Sequence, residues 1–312
     1  MYHIGWKKEM GKYPKITARF INGNSDQQQL KRYFFAVLAL IIGYSLFYLG
    51  FIKTPLFETS RERAGIPLAF GSVVRAGSTY GGWGYLPNLL TSNSIVYSVG
   101  LGGDVTWDSE IINRHRCKVF GFDNTPVHMQ YWKSLLKTNL ASHPEGKRMR
   151  TFLRNFVHIE QLLLEKDGEV ELALPQGHSS SYALYSVDGF RNKTSIVLPG
   201  KTLIGLMHMN YHQHIDLLKL DIEGSEFAVV DSWLKVKLPP VCQILVELHD
   251  RLFEEGSDLS KELFKTLKAL GFSPIDVHFG TNDPDGAVSF FNIRACCKIR
   301  EKLCQMEKYF TS

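Results

Sequence analysis

Charge is scarce along most of this chain. The formal net charge is only +5. Much of that excess sits at the N-terminus, where Lys7, Lys8, Lys12, Lys15, Arg19, Lys31 and Arg32 outweigh Glu9 and Asp26. The remainder is nearly neutral and lacks the basic footprint of a nucleic-acid binder, so no nucleic-acid partner is expected. The five cysteines, Cys117, Cys242, Cys296, Cys297 and Cys304, lack the paired C-x-x-C spacing of a zinc site. They read either as buried thiols or, in an oxidising compartment, as partly bridged. No internal repeat is present. At 44% hydrophobic and 21% charged the composition is that of a globular chain, which sets disorder aside.

One stretch lacks charge altogether. Tyr33 to Ile52 (YFFAVLALIIGYSLFYLGFI) holds no ionisable acid or base of the Asp, Glu, Lys or Arg type. At about 1.5 Å rise per residue it spans a hydrocarbon core of about 30 Å. A single central Lys would cost roughly 3 kcal/mol on the insertion scale, so its absence points to a transmembrane anchor. A cleaved signal peptide calls for a shorter apolar stretch and a small-x-small site, and neither is found. The basic flank is N-terminal, which by the positive-inside rule predicts a type II orientation. The expected organisation is a cytosolic basic tail over 1–32, the anchor over 33–52, a stem over 53–94 and a folded domain over 95–312. The domain would then stand in the lumen of the Golgi or endoplasmic reticulum. The acceptor triplet Asn192-Lys193-Thr194 agrees with that placement. In the stem, the glycine-rich AGSTYGGWGYLPNLL suits an irregular spacer, with Tyr80, Trp83 and Tyr85 packing on the domain or bordering its cleft.

From Ser94 onward short apolar runs alternate with amphipathic stretches, predicting an α/β fold with a parallel sheet covered on both faces. The predicted strands are Ile95 to Gly100, Lys118 to Asp123, Phe156 to His158, Ile215 to Asp221 and Cys242 to His249, with SPIDVHF and AVSFFNI completing the sheet. Helices are predicted over Trp107 to Arg116, Pro126 to Leu140, Ser225 to Leu234 and Ser260 to Leu270, the last closed by Gly271. DGEVELALPQ and SYALYSV alternate like an added β-hairpin.

The chemistry gathers at strand ends. The first strand runs into Gly100-Leu101-Gly102-Gly103 and a helix opened by Asp104 or Thr106, a turn where backbone can approach a ligand. The next strand ends in Asp123, about 20 residues beyond, placed to accept hydrogen bonds from the ribose hydroxyls of an adenosine cofactor. Asn124 follows it. A nicotinamide site calls for a third glycine near Val105, and there is none, which argues against a dehydrogenase. The fourth strand ends in Asp221, Glu223, Gly224 and Glu226. One helix cap needs one carboxylate, and here there are three. The following strand ends in Glu247, Leu248, His249 and Asp250, which would lie beside Asp221 if the strands are neighbours.

The run HIDLLKLDIEGSEFAVVDSW resembles the signature of the FkbM-type methyltransferases. VYSVGLGGDVTWDSEI and CQILVELH are similar to the eukaryotic branch that includes methyltransferase-like protein 24. The likeness runs from Val96 to Ile293. It implies a Rossmann-like, seven-stranded class I fold with the last strand antiparallel, and S-adenosylmethionine used mainly to methylate hydroxyl groups. It also implies that Gly100, Gly102 and Gly103 approach the methionine part of the cofactor, that Asp123 holds the ribose, and that Asp221 and Glu223 face the transfer site. Many relatives place an acid just before the glycine turn, where this chain has Ser98.

Methyl transfer to a hydroxyl needs a base. Asp221, Glu223, Glu247 and His249 are the candidates, acting directly or through a divalent metal that Asp221 and Glu223 would hold. In a secretory lumen the acceptors would be sugar hydroxyls on glycans or glycolipids, secreted proteins or small metabolites. Two other readings fit the same residues. A Golgi glycosyltransferase would use Asp221-Ile222-Glu223 as an acid-x-acid metal site, and a catalytically silent protein would keep the fold and bind the cofactor alone.

Overall fold

Residues that alternate poorly but are continuously apolar make strands buried on both faces, and these build the centre of the molecule. The computed structural model describes residues 71–79, 81–126, 146–174, 194–254, 256–279 and 286–299, all within one compact unit, Thr59–Ser312. In chain order its elements begin with β1 (Val74–Ala76), β2 (Trp83–Tyr85), β3 (Ile95–Val99), α1 (Thr106–His115) and β4 (Lys118–Phe122). Next come α2 (Gly146–Asn155), β5 (Phe156–Ile159), β6 (Leu162–Leu163), β7 (Gly168–Ala173), β8 (Ser195–Lys201) and α3 (Leu203–Met209). The remainder is β9 (Ile215–Leu220), α4 (Glu226–Ser232), β10 (Val241–Leu248), α5 (Gly256–Ala269), β11 (Ser273–Phe279), β12 (Gly286–Phe291) and α6 (Ile293–Ile299).

The main sheet has seven strands in the order β11-β12-β10-β9-β3-β4-β5. β5, β4, β3, β9 and β10 run parallel, and β12 is antiparallel to both neighbours. Every residue of β9 is buried. The chain winds from β3 outward through β4 to β5, then returns to β9 on the other side of β3. The switch point of the topology therefore falls between β3 and β9, where an open α/β sheet binds ligands at the carboxyl ends of its strands.

One expectation changes. Residues 71–94, read from sequence as part of the stem, fold onto the domain: β1 and β2 form a hairpin, and Trp83, Tyr85, Leu86 and Leu89 are buried. Burial of each is worth on the order of 1.5–3 kcal/mol, a drive that glycine content alone conceals. Ser289 Oγ donates to Gly84 O at 2.7 Å, docking β2 on β12. β7, within DGEVELALPQ, pairs antiparallel with β8, Ser195–Lys201. SYALYSV lies outside the described residues, as do the anchor, Tyr80, residues 127–140 of the predicted helix, Asn192-Lys193 and Cys304. Among the described residues no helix is long and apolar enough to cross a membrane.

Cys242 at the start of β10 is bridged to Cys296 in α6, while Cys117 and Cys297 are buried free thiols. The bridge closes a sequence separation of 54, and loop-closure entropy of that length is worth up to about 4 kcal/mol. Reduction is expected to lower the melting temperature by roughly 10 °C, checked by thermal unfolding with and without dithiothreitol.

Candidate active site

The glycine turn and the acidic segment meet at the switch point because β3 and β9 are neighbours. Gly100 has φ +76°, and a Cβ there would lie 1.6 Å from Asp221 O. Only glycine lets the end of β3 come this close to the end of β9. Gly102 has φ +55°, and added Cβ atoms at Gly102 or Gly103 would meet nothing within 4 Å. Gly100 is thus the packing glycine, and Gly102 with Gly103 forms the open cradle.

Asp123 ends β4 opposite this turn and is buried. Its Oδ2 accepts from Leu101 N at 3.2 Å and Gly102 N at 3.3 Å. Its Oδ1 accepts from Thr125 N and Thr125 Oγ1 at 2.8 and 2.6 Å. All the acceptor capacity of the carboxylate is engaged, so here Asp123 shapes the turn. The two bonds to the turn are the longer ones. Asn124 is half-buried in the same loop. Ser98 is fully buried, beside the equally buried Asp108 carboxyl.

β9 ends in a run that bends sharply. Glu223 and Gly224 both have positive φ, 52° and 98°, an arrangement uncommon for a non-glycine residue and found where surrounding contacts enforce it. Glu226, fully buried, does the enforcing. Its Oε2 accepts from Gly224 N at 3.1 Å, and its Oε1 accepts from His249 N at 3.0 Å. Oε1 also lies 2.8 Å from His249 Nδ1, fixing the ring. His249 Nε2 then faces Glu223 Oε2 at 3.7 Å and Asp221 Oδ1 at 3.9 Å.

A lysine ties the two halves together. Lys219 Nζ is buried and donates to Gly100 O at 3.1 Å and to Asp221 Oδ2 at 3.0 Å, with the Trp83 ring centroid 5.3 Å away. Burial opposes its charge, but Asp221 and Asp108 outweigh that and raise its pKa. Burial also works to raise the pKa of Asp221, yet Lys219 and His249 prevail and hold the carboxyl below its usual range. Glu247 goes the other way: burial and the Asp221 charge push it up to about 9. Burial disfavours the His249 cation, but Glu226, Asp221 and Glu223 more than offset it and raise its pKa well above the ordinary value. At neutral pH the site therefore holds ionised Asp221 between two cations, with Glu247 protonated.

His249 gains these partners on folding, so its folded pKa lies above the unfolded value of about 6.5. The stabilisation is complete below that value and is lost as pH rises through the folded pKa. Glu226→Gln is expected to lower the His249 pKa by about one unit or more, measured by NMR titration of the imidazole protons. An unchanged value would mean that Asp221 and Glu223 alone hold the charge.

Of the sequence-predicted residues, the structure brings Asp221, Glu223, Glu247 and His249 together, with Gly100 joined to them through Lys219. Asp250 departs, accepting from Ser260 Oγ at 3.0 Å. Lys219 was missed, although a lysine set between Leu218 and Leu220 in a buried strand signals a charged partner nearby. Glu226, counted as one carboxylate among three, emerges as the clamp on His249.

The match to known proteins follows this geometry. Residues 86–274, more than half of the chain, match the methyltransferase FkbM domain, and the chain belongs to that family. It is an S-adenosylmethionine-dependent methyltransferase, with S-adenosylmethionine as its cofactor. The open cradle at Gly102 and Gly103 fits such a group. Similar solved structures include Aeropyrum pernix fibrillarin in complex with natively bound S-adenosyl-L-methionine, at 14% identity over 65% of this chain and 67% of that one, TM-score 0.37. Precorrin-6y C5,15-methyltransferase from Geobacter metallireducens is similar at 11% identity over 65% and 82%, TM-score 0.35. Fibrillarin from Methanococcus jannaschii is similar at 11% identity over 75% and 74%, TM-score 0.37. No curated protein matches the sequence.

Proposed function

We propose that this methyltransferase modifies a hydroxyl group and that Asp221 takes the proton. The carrying observation is that Asp221, Glu247 and His249 each present an oxygen or nitrogen within 4.8 Å of the others, beside the glycine turn. When bound, the cofactor supplies a methyl group on a sulfonium that already carries its leaving group. The chain's part is to align the acceptor and receive its proton. A hydroxyl oxygen becomes strongly acidic as it gains a methyl group, so a carboxylate of low pKa suffices. Lys219 and His249 keep Asp221 ionised and aimed, and Glu226 holds His249 in place. Membership of a methyltransferase family weighs against the glycosyltransferase reading of Asp221 and Glu223.

The acceptor belongs to the secretory pathway in this proposal, with glycan or glycolipid hydroxyls first. The charge-free Tyr33–Ile52 run supports a type II anchor, the Cys242–Cys296 bridge suits an oxidising lumen, and the similarity to the branch of methyltransferase-like protein 24 belongs to the same reading. The test incubates the full chain with methyl-labelled cofactor and separated glycans, lipids and proteins. Label in the glycan or glycolipid fraction that resists mild alkali, as a methyl ether does, is expected. Label confined to alkali-labile esters or to amines would overturn the proposal.

The same convergence favours a second, metal-assisted version, with Asp221, Glu247 and His249 as ligands and the cation lowering the hydroxyl pKa. Calorimetry with Mg²⁺ and Mn²⁺ in buffers of different ionisation heats is expected to show binding with proton release, because Glu247 and His249 must give up protons. Absence of binding, or binding unchanged in Glu247→Gln, would dismiss it.

A further inference from the structure

The pole of the sheet opposite the active site has a character of its own. At that edge β10, β9, β3, β4 and β5 begin side by side. Four of the five large hydrophobic residues that stand exposed among the described residues lie there: Met209, Tyr211, Leu234 and Val236, the fifth being Val197 on β8. Met209 and Tyr211 precede β9, and Leu234 and Val236 precede β10, its direct neighbour. Tyr211 is 90% exposed and sits at φ 58°, projecting from a bend with no covering partner described. The starts of the same strands carry exposed basic residues: Arg116 and Lys118 at β4, Arg154 before β5, and Lys235 and Lys237 before β10. The exposed acid among them, Asp231, is paired with Lys235 at 3.0 Å. An apolar and aromatic patch with a basic surround is the composition that settles at a bilayer interface.

The chain also enters the described fold at this pole. Gly71 packs against Asn88, and Val74 pairs with Tyr85. The Tyr85 hydroxyl lies 2.8 Å from Nε2 of His115, the last residue of α1. Leu86 N donates to Gln243 Oε1, near the start of β10, at 2.8 Å. The described chain therefore begins at this pole, away from the cleft.

We propose that this pole is a membrane-docking surface, with Tyr211, Met209, Leu234 and Val236 entering the headgroup layer and the surrounding lysines and arginines on lipid phosphates. It rests on the anchor reading of Tyr33–Ile52 in the proposed function, and on the described chain beginning at this pole. Docked this way, the carboxyl ends of the strands face away from the membrane, and the cleft stays open to acceptors that project from it or diffuse above it.

The test places an environment-sensitive fluorophore on Tyr211→Cys in the full chain reconstituted into nanodiscs of phosphatidylcholine with phosphatidylserine, and on Lys261→Cys of α5 as the distant control. Headgroup-level nitroxide lipids are expected to quench the label at 211 at least about twofold more than the label at 261. Lys118→Glu with Lys237→Glu, or raised salt, should weaken that difference. Equal quenching at the two positions overturns the proposal. Protection of 211 without quenching also overturns it, pointing to a protein partner or a second copy. If the wild-type chain does not enter nanodiscs, the anchor reading fails. Pelleting with vesicles of the same lipids then decides docking alone, binding supporting it and no binding overturning it.

Discussion

Asp221→Asn is expected to keep cofactor affinity while methyl transfer falls by roughly 10²–10⁴-fold, the range supplied by a positioned acid–base group. Asparagine preserves shape beside Lys219 and His249 but cannot take a proton. Calorimetry with S-adenosylhomocysteine separates the two quantities. The variant leaves the buried Lys219 ammonium with Gly100 O as its close acceptor, so a loss of stability should accompany the loss of turnover, and thermal unfolding must be measured alongside. Full turnover in a folded Asp221→Asn protein would move the base to Glu223.

The second large effect separates two glycines that the sequence presents as equals. Gly100→Ala would drive a Cβ into the Asp221 carbonyl at 1.6 Å in a backbone with φ +76°, and neither strand can yield without parting β3 from β9. Loss of several kcal/mol of stability, or failure to accumulate folded protein, is expected. Gly103→Ala meets nothing within 4 Å and should fold with an unchanged melting temperature. Its methyl group stands in the cradle, so S-adenosylhomocysteine affinity should fall about tenfold, near 1.4 kcal/mol. Equal damage in both variants would mean that Gly103 also packs against protein.

Much of this was legible before any coordinates. The strands Ile95–Val99, Ile215–Leu220 and Val241–Leu248 were marked by apolar runs long enough for parallel burial, and their carboxyl ends carry the residues that meet in space. The strand Ser195–Lys201 that pairs with Gly168–Ala173 was not, because a short alternating strand matches many others, and long-range closure selects among them. The packing of Trp83 and Tyr85 on the domain agrees with the sequence, but the β1–β2 hairpin does not show there, since glycine-rich spacing reads as a linker and the contacts that order it come from β12 and α1, remote in sequence. The division of labour among Asp221, Glu223 and Glu226 was equally hidden. Spacing shows carboxylates in one turn, but only the fold reveals which one is sealed against His249.

β9, hydrogen-bonded on both sides and buried throughout, carries the acidic turn on its end. Amide protons at its centre should exchange with solvent only through global unfolding, making this a stiff mounting. Asp221 cannot swing to suit acceptors of different shape. Acceptor preference must then be written in the loops around the cleft, and those can change in evolution without disturbing the chemistry, so relatives sharing this segment are free to diverge in what they methylate.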